Sequence, residues 1–206
     1  MGSPLVILMA KAPRPGAVKT RLAADIGAGA ATALYRALVE RQLAALPGGW
    51  PVEVHYAPAG AGREMGEWLG GSLHYVPQCE GDLGDRLRFA FERGFGAGFA
   101  TVIAIGGDCP DLGAQDLLEA GLRLREKDVV LGPAADGGYY LVGTRFPAPA
   151  LFDGIPWSSA RVLDTTLQRI SQRGWSFDLL EAKEDIDDLG SLQRAGGLEC
   201  LLAASS

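Results

Sequence analysis

At 206 residues with a net charge of −6, the chain is the size of one domain. It is too acidic for the broad basic face that nucleic acid or an anionic membrane requires. Its 48% hydrophobic and 21% charged residues exclude a disordered chain and predict one sizeable core. Three widely spaced cysteines, Cys79, Cys109 and Cys200, form no CxxC pair and no disulfide framework, so a reduced, cytoplasmic setting is expected.

The first apolar run, Pro4 to Ala10, reads as a buried strand; it is too short for a membrane span or a signal-peptide core. From Val18 to about Ala45 apolar residues recur at helical spacing, broken near Gly27 and Gly29, with Arg36, Glu40 and Arg41 facing outward. Val52–Ala59 alternates as a strand, Gly62–Gly70 reads as a short helix, and Ser72–Gln78 is strand-like again. Helical periodicity over Gly81–Phe95 precedes Thr101–Gly107, the clearest central strand. An amphipathic helix (Ala114–Glu126), two strands (Asp128–Ala134 and Tyr139–Thr144), a helix (Ser159–Gly174), a strand (Trp175–Glu181) and a last helix (Asp187–Gly196) follow. Alternation of this kind predicts an α/β protein, a three-layer α/β/α sandwich on a largely parallel sheet, as one domain over residues 1–206.

Positive charge collects where the first strand meets the first helix. Lys11, Arg14, Lys19 and Arg21 fall within the stretch KAPRPGAVKTRL, and no acid precedes Asp25. In an open α/β sheet the first strand-to-helix connection is a common phosphate site, and these cations suit it better than a solvated turn. The loop is neither a Walker A sequence nor a GxGxxG turn.

Acids recur at later strand ends. GGDCPDL puts Asp108 directly after the central strand, with Gly107 beside it among the expected phosphate contacts. A carboxylate facing phosphates needs a divalent cation between them, Mg²⁺ or Mn²⁺; a turn or cap role is the plain alternative. Asp111 is expected to cap the next helix. In EDIDDLGSL, apolar Ile186 pins the chain and directs Asp185 and Asp187 to the other side, where one of them can share Asp108's cation; Asp188 suits the N-cap of the last helix. Asp136 in AADGGYY serves a hairpin turn and, compatibly, a site next to Tyr139 and Tyr140. QCEGDLGDRL offers Gln78 and the amides freed by Gly81 and Gly84 to a nucleobase edge, or a capped helix start at Asp82. His55 and His74 read as structural, Cys109 as a thiol held neutral beside acids, and Trp157 as a pocket wall.

PGAVKTRL, QCEGDLGDRL, GGDCPDL, GPAADGGYYLVG and DIDDLGSL, in this order, resemble the bacterial glycosyltransferase-like family DUF2064, over about Leu5 to Leu192. The resemblance implies a Rossmann-like GT-A fold of the nucleotide-diphospho-sugar transferase superfamily. It also implies Asp108 and Asp187 as metal ligands and Lys11, Lys19 and Arg21 as phosphate contacts. The superfamily's LAGGxGxRMG loop is replaced here by AKAPRPGAVKTRL, and Asp188 stands where related ends carry Thr.

Three functions are open at this point. The leading expectation is a metal-dependent glycosyltransferase taking a nucleotide-diphospho-sugar and a small-molecule acceptor, with Asp136 as base and Lys19 neutralising the leaving diphosphate. Its rival is a nucleotidyltransferase joining an NTP to a phosphorylated small molecule and releasing pyrophosphate. A nucleotide-binding regulatory domain without turnover is the third.

Overall fold

A computed structural model describes residues 2–196, so Cys200 lies outside the described residues. Seven strands form one sheet in the order β3-β2-β1-β4-β6-β5-β7. They are β1 (Leu5–Lys11), β2 (Val52–Ala57), β3 (His74–Pro77), β4 (Val102–Ile105), β5 (Val129–Pro133), β6 (Tyr139–Thr144) and β7 (Phe177–Leu179). All neighbouring pairs run parallel except those of β6, which is antiparallel to both β4 and β5. The Asp136–Gly138 turn makes β5 and β6 a hairpin, and a hairpin must reverse direction.

The helices are α1 (Thr20–Ile26), α2 (Ala28–Ala44), α3 (Gly62–Leu69), α4 (Leu83–Gly96), α5 (Ala114–Arg123), α6 (Val162–Gln172) and α7 (Leu189–Arg194). The run expected from Val18 to Ala45 divides into α1 and α2 at Gly27, whose φ of 84° interrupts the helix. Asp82 and Asp188 cap α4 and α7 as expected, each accepting a main-chain N–H from three residues on. Asp111 does not cap α5. Asp116 reaches back to the Gly113 N–H over 2.9 Å and does so instead.

Alternation along β1 sorts the core into two layers. Val6, Leu8 and Ala10 pack with α2, α3 and α5 on one face; Leu5 and Ile7 pack with α4 and α6 on the other. A smaller cluster of Leu22, Leu34, Leu38, Ile186 and Leu192 ties α1, α2 and α7 together. From β1 the chain moves outward to β2 and β3, whereas β4 begins the opposite half of the sheet. The crevice beyond the carboxyl ends of β1 and β4 is therefore the topological switch point, where open α/β sheets take ligands.

Candidate active site

A cleft of about 720 Å³ opens at that switch point. Its walls come from the end of β1 (Lys11), the start of α1 (Lys19, Arg21), the β4 exit (Gly107, Asp108), the β5–β6 turn (Asp136), the loop before α6 (Trp157) and the DIDD segment (Asp185, Asp187). A volume of this size suits a nucleotide with a small second substrate.

Lys19 lies at the centre. Its Nζ stands 2.5 Å from Oδ1 of Asp108 and 3.0 Å from Oδ1 of Asp187, and its side chain is only 3% exposed. The two carboxylates remain 43% and 46% exposed, open to the cleft. Burial works to lower the Lys19 pKa, but Asp108 and Asp187 more than offset it and raise it, so the ammonium is firmly charged. Lys19 has left-handed backbone angles (φ 48°, ψ 44°), a conformation costing a non-glycine residue about 1–2 kcal/mol. The two ion pairs hold it there.

Asp185 sits at the same floor. Burial first, then the charges of Asp108, Asp187 and Asp136, push its carboxyl up to about 7, against the pull of Lys19. Its Oδ1 is buried without a hydrogen-bond partner. Cys109 behaves as expected: burial and the charge of Asp185 push the thiol up to about 12, which keeps it un-ionised. Asp136 accepts the Gly138 N–H on Oδ1 (2.8 Å), so it shapes the turn and lines the cleft at once.

The donor set at the floor of the cleft suits a divalent cation. Two carboxylate oxygens from separate segments converge on one ammonium, which occupies the place of a cation, and a third carboxyl oxygen nearby is orphaned. Among the described residues no group of three or more His, Cys, Asp or Glu side chains is arranged to cage an ion. Two carboxylates completed by phosphate oxygens and water are the set Mg²⁺ ordinarily takes, so the residues fit it.

Two expected contacts are corrected. Arg14 does not line the cleft but pairs with Glu64 in the first turn of α3 (2.7 Å), and the chain turns at Gly16 (φ 80°) before Lys19 reaches the floor. Gly81 does not line the cleft. At φ 113° it makes room for the Asp85 carboxylate that closes the α4 capping box. Gln78 does line the cleft, but its amide nitrogen is committed to the carbonyls of Ala10 (3.2 Å) and His55 (2.7 Å) rather than to a base edge. His55 and His74 are structural as expected, both bonded to Glu53 at 3.0 Å.

Sequence reasoning missed Tyr35 and Arg86. Tyr35 has helical spacing indistinguishable from core, yet its hydroxyl accepts the Lys11 N–H (2.7 Å) and donates to the Lys11 carbonyl (3.2 Å) beneath the cleft. Arg86 ends the GDLGDR motif and was hidden by the capping signal around it.

Residues 40–159 match the family described as "Uncharacterized protein conserved in bacteria (DUF2064)". The chain belongs to DUF2064. None of the curated proteins matches it. Among solved structures, this DUF2064 member is similar to a candidate nucleotide-diphospho-sugar transferase from Desulfovibrio desulfuricans G20, at 32% identity and TM-score 0.89, over 98% of this chain and 95% of that one. Two more distant likenesses show the fold alone. One is CMP:2-keto-3-deoxy-manno-octonic acid synthetase complexed with CTP (14% identity, TM-score 0.62, 99% and 100% of the chains). The other is a Mycobacterium tuberculosis H37Rv protein in complex with manganese (16%, TM-score 0.51, 93% and 97%). The expected GT-A-like, Rossmann-related fold is thus the fold observed.

Proposed function

We propose that the protein is a divalent-metal-dependent transferase that binds a nucleotide-diphospho-sugar and passes its sugar to a small-molecule acceptor. The observation that carries this reading is the convergence of Asp108 and Asp187 on one cation position, with Lys11 and Arg21 along the same cleft. Likeness at 32% identity to a candidate nucleotide-diphospho-sugar transferase supports the donor class.

Asp108 and Asp187 would hold the metal, which when bound supplies neutralising charge to the diphosphate and its departing oxygen. The remaining work falls to the chain. Lys11 and Arg21, which make no ion pair among the described residues, bind phosphate oxygens. Lys19, released from its carboxylates, adds a full charge where the leaving diphosphate gains its own. Asp136, which also lines the cleft, takes the proton of an acceptor hydroxyl if transfer inverts the anomeric centre. Trp157 excludes water from that end.

A second reading, nucleotidyl transfer from an NTP, is favoured by one observation: Lys11, Lys19 and Arg21 all come from the β1–α1 connection and its two ends, a density of charge suited to a departing pyrophosphate. One experiment separates the two. Thermal shifts are recorded for NTPs and nucleotide-diphospho-sugars with Mn²⁺ and with EDTA, and products are then identified. At a hundredfold excess over Kd a ligand adds about 2.7 kcal/mol, or roughly 5–10 °C in Tm. The proposal expects a metal-dependent shift with a nucleotide-sugar, release of a nucleoside diphosphate, and loss of both in Asp108→Asn. Pyrophosphate release from an NTP and a sugar phosphate would establish the second reading instead.

A further inference from the structure

Arg86 has no counter-ion among the described residues. It lies in the first turn of α4, half-buried, and lines the cleft beside Leu83 and Trp157. Its neighbours on the helix are paired: Arg88 bridges Asp85 (2.7 Å) and Asp153 (3.4 Å). Arg86 makes no ion pair among the described residues, and its Nε is buried without any partner. A buried guanidinium N–H left without an acceptor is costly unless something absent from the folded chain completes it.

The guanidinium is nonetheless held in place. Nη1 donates to Oε1 of Gln78 at 3.2 Å. Gln78 is itself fixed by its two bonds to the ends of β1 and β2, so a relay of hydrogen bonds runs from the sheet to Arg86. Gly84, two residues earlier, has no room for a side chain: a Cβ there would lie 2.6 Å from Nε1 of Trp157 and 2.7 Å from the Phe152 carbonyl. The wall carrying Arg86 is therefore rigid and closely fitted to Trp157. Among the described residues, of the cleft cations Lys11 and Arg21 are exposed and Lys19 is neutralised by Asp108 and Asp187; Arg86 alone is half-buried, oriented and without an ion pair.

We propose that Arg86 is a substrate-binding residue whose planar fork grips an oxyanion, phosphate or carboxylate, of a bound substrate, with Gln78 as its positioning residue. This deepens the transferase reading and rests on it only for calling the anion a substrate. The same chemistry can come from the donor's diphosphate or from an anionic acceptor. Guanidinium matches both bidentately, and each such charge-assisted bond is worth about tenfold or more in affinity.

Calorimetric titrations of wild type, Arg86→Gln and Arg86→Lys with two probes decide the matter: inorganic pyrophosphate in Mg²⁺, standing for the diphosphate, and phosphoglycolate, standing for an anionic acceptor. A tenfold or greater loss of pyrophosphate affinity in Arg86→Gln supports the proposal and assigns the donor. Unchanged pyrophosphate with a tenfold loss of phosphoglycolate supports it and assigns the acceptor. Affinities within twofold of wild type for both probes, or a wild type that binds neither, overturn it. Should Arg86→Gln fail to fold, as read from its Tm, Arg86→Lys decides: it keeps the charge but not the fork, and a several-fold loss for one probe is required. Failure of the transferase reading looks different, as a wild type that holds an anion through Arg86 yet responds to no nucleotide.

Discussion

The main-chain N–H of Ile186 donates to the carbonyl oxygen of Asp108 across 3.0 Å. That single bond sets the DIDD segment against the exit of β4, so that Asp187 and Asp108, far apart in sequence, present their Oδ1 atoms to the same Lys19 ammonium. Ile186 is fully buried among Leu22, Leu34, Leu38 and Leu192, which anchors the bond from below.

Truncating that anchor is expected to damage stability and site together. Ile186→Ala should cost about 2–4 kcal/mol through the cavity it leaves, lowering Tm by roughly 5–15 °C. Mn²⁺ should then raise the Tm of the variant less than that of wild type, because Asp187 is no longer held opposite Asp108. Equal Mn²⁺ responses would separate the anchor from the site.

Lys19 occupies the cation position in the free protein, so removing its charge should favour a metal. Lys19→Met is expected to bind Mn²⁺ at least about tenfold more tightly than wild type in the absence of nucleotide, since the competing ammonium is gone. Transfer activity should nevertheless fall at least about a hundredfold, because the leaving diphosphate loses its fixed cation. Calorimetry with Mn²⁺ alone reads the first effect. Weaker Mn²⁺ binding would place the metal elsewhere.

The paired side chains around Glu53 predict how stability depends on pH. Burial works to raise the Glu53 pKa, but bonds from Arg93, His55 and His74 outweigh it and lower it. A carboxyl whose folded pKa is depressed contributes stability that is complete above its unfolded value, near 4.5, and that disappears as pH falls through the lower folded value. Burial likewise lowers the pKa of His55 despite the opposing pull of Glu53, so acid also weakens the fold through His55, beginning below its unfolded value near 6.5. Tm measured from pH 7 downward should fall first gently and then steeply. Glu53→Gln should lower Tm at pH 7, by about 2 kcal/mol or more in stability, and flatten the steep part of the curve. An unchanged acid limb would assign that loss to other carboxyl groups.

Gly84 tests the fit between α4 and the Trp157 loop. Gly84→Ala sets a Cβ against the Trp157 indole nitrogen and the Phe152 main chain, neither of which can yield cheaply. The expected result is a loss of about 1–3 kcal/mol in stability and a rise in KM for the substrate held at that end of the cleft. Fluorescence of Trp157 should shift with it. A variant with wild-type Tm and KM would mean that the loop moves freely.

Much of the candidate site was legible because it follows strand ends. Lys11, Gly107, Asp108 and Asp136 adjoin strands that hydrophobic runs mark clearly, and the topology of a parallel sheet gathers strand ends at one edge. Arg14 and Gly81 were misplaced for a shared reason. Their composition fits a phosphate or base loop, but their directions depend on φ values at Gly16 and Gly81 and on partners from other segments, Glu64 for Arg14 and the Asp85 carboxylate for Gly81. Asp111 and Asp116 both stood close enough to cap α5, and only backbone geometry chose between them.

The sequence by itself determined the order of elements, the three-layer α/β/α class and the neighbourhood of the cleft, since periodicity, turn residues and strand length act over a few residues and do not depend on distant partners. Tertiary structure decided which charges meet. Lys19 finds Asp187 across 168 positions, Arg14 is drawn off to Glu64, and Arg86 is left without an ion pair among the described residues. Electrostatic pairing falls off with distance in space, and only the folded chain sets those distances.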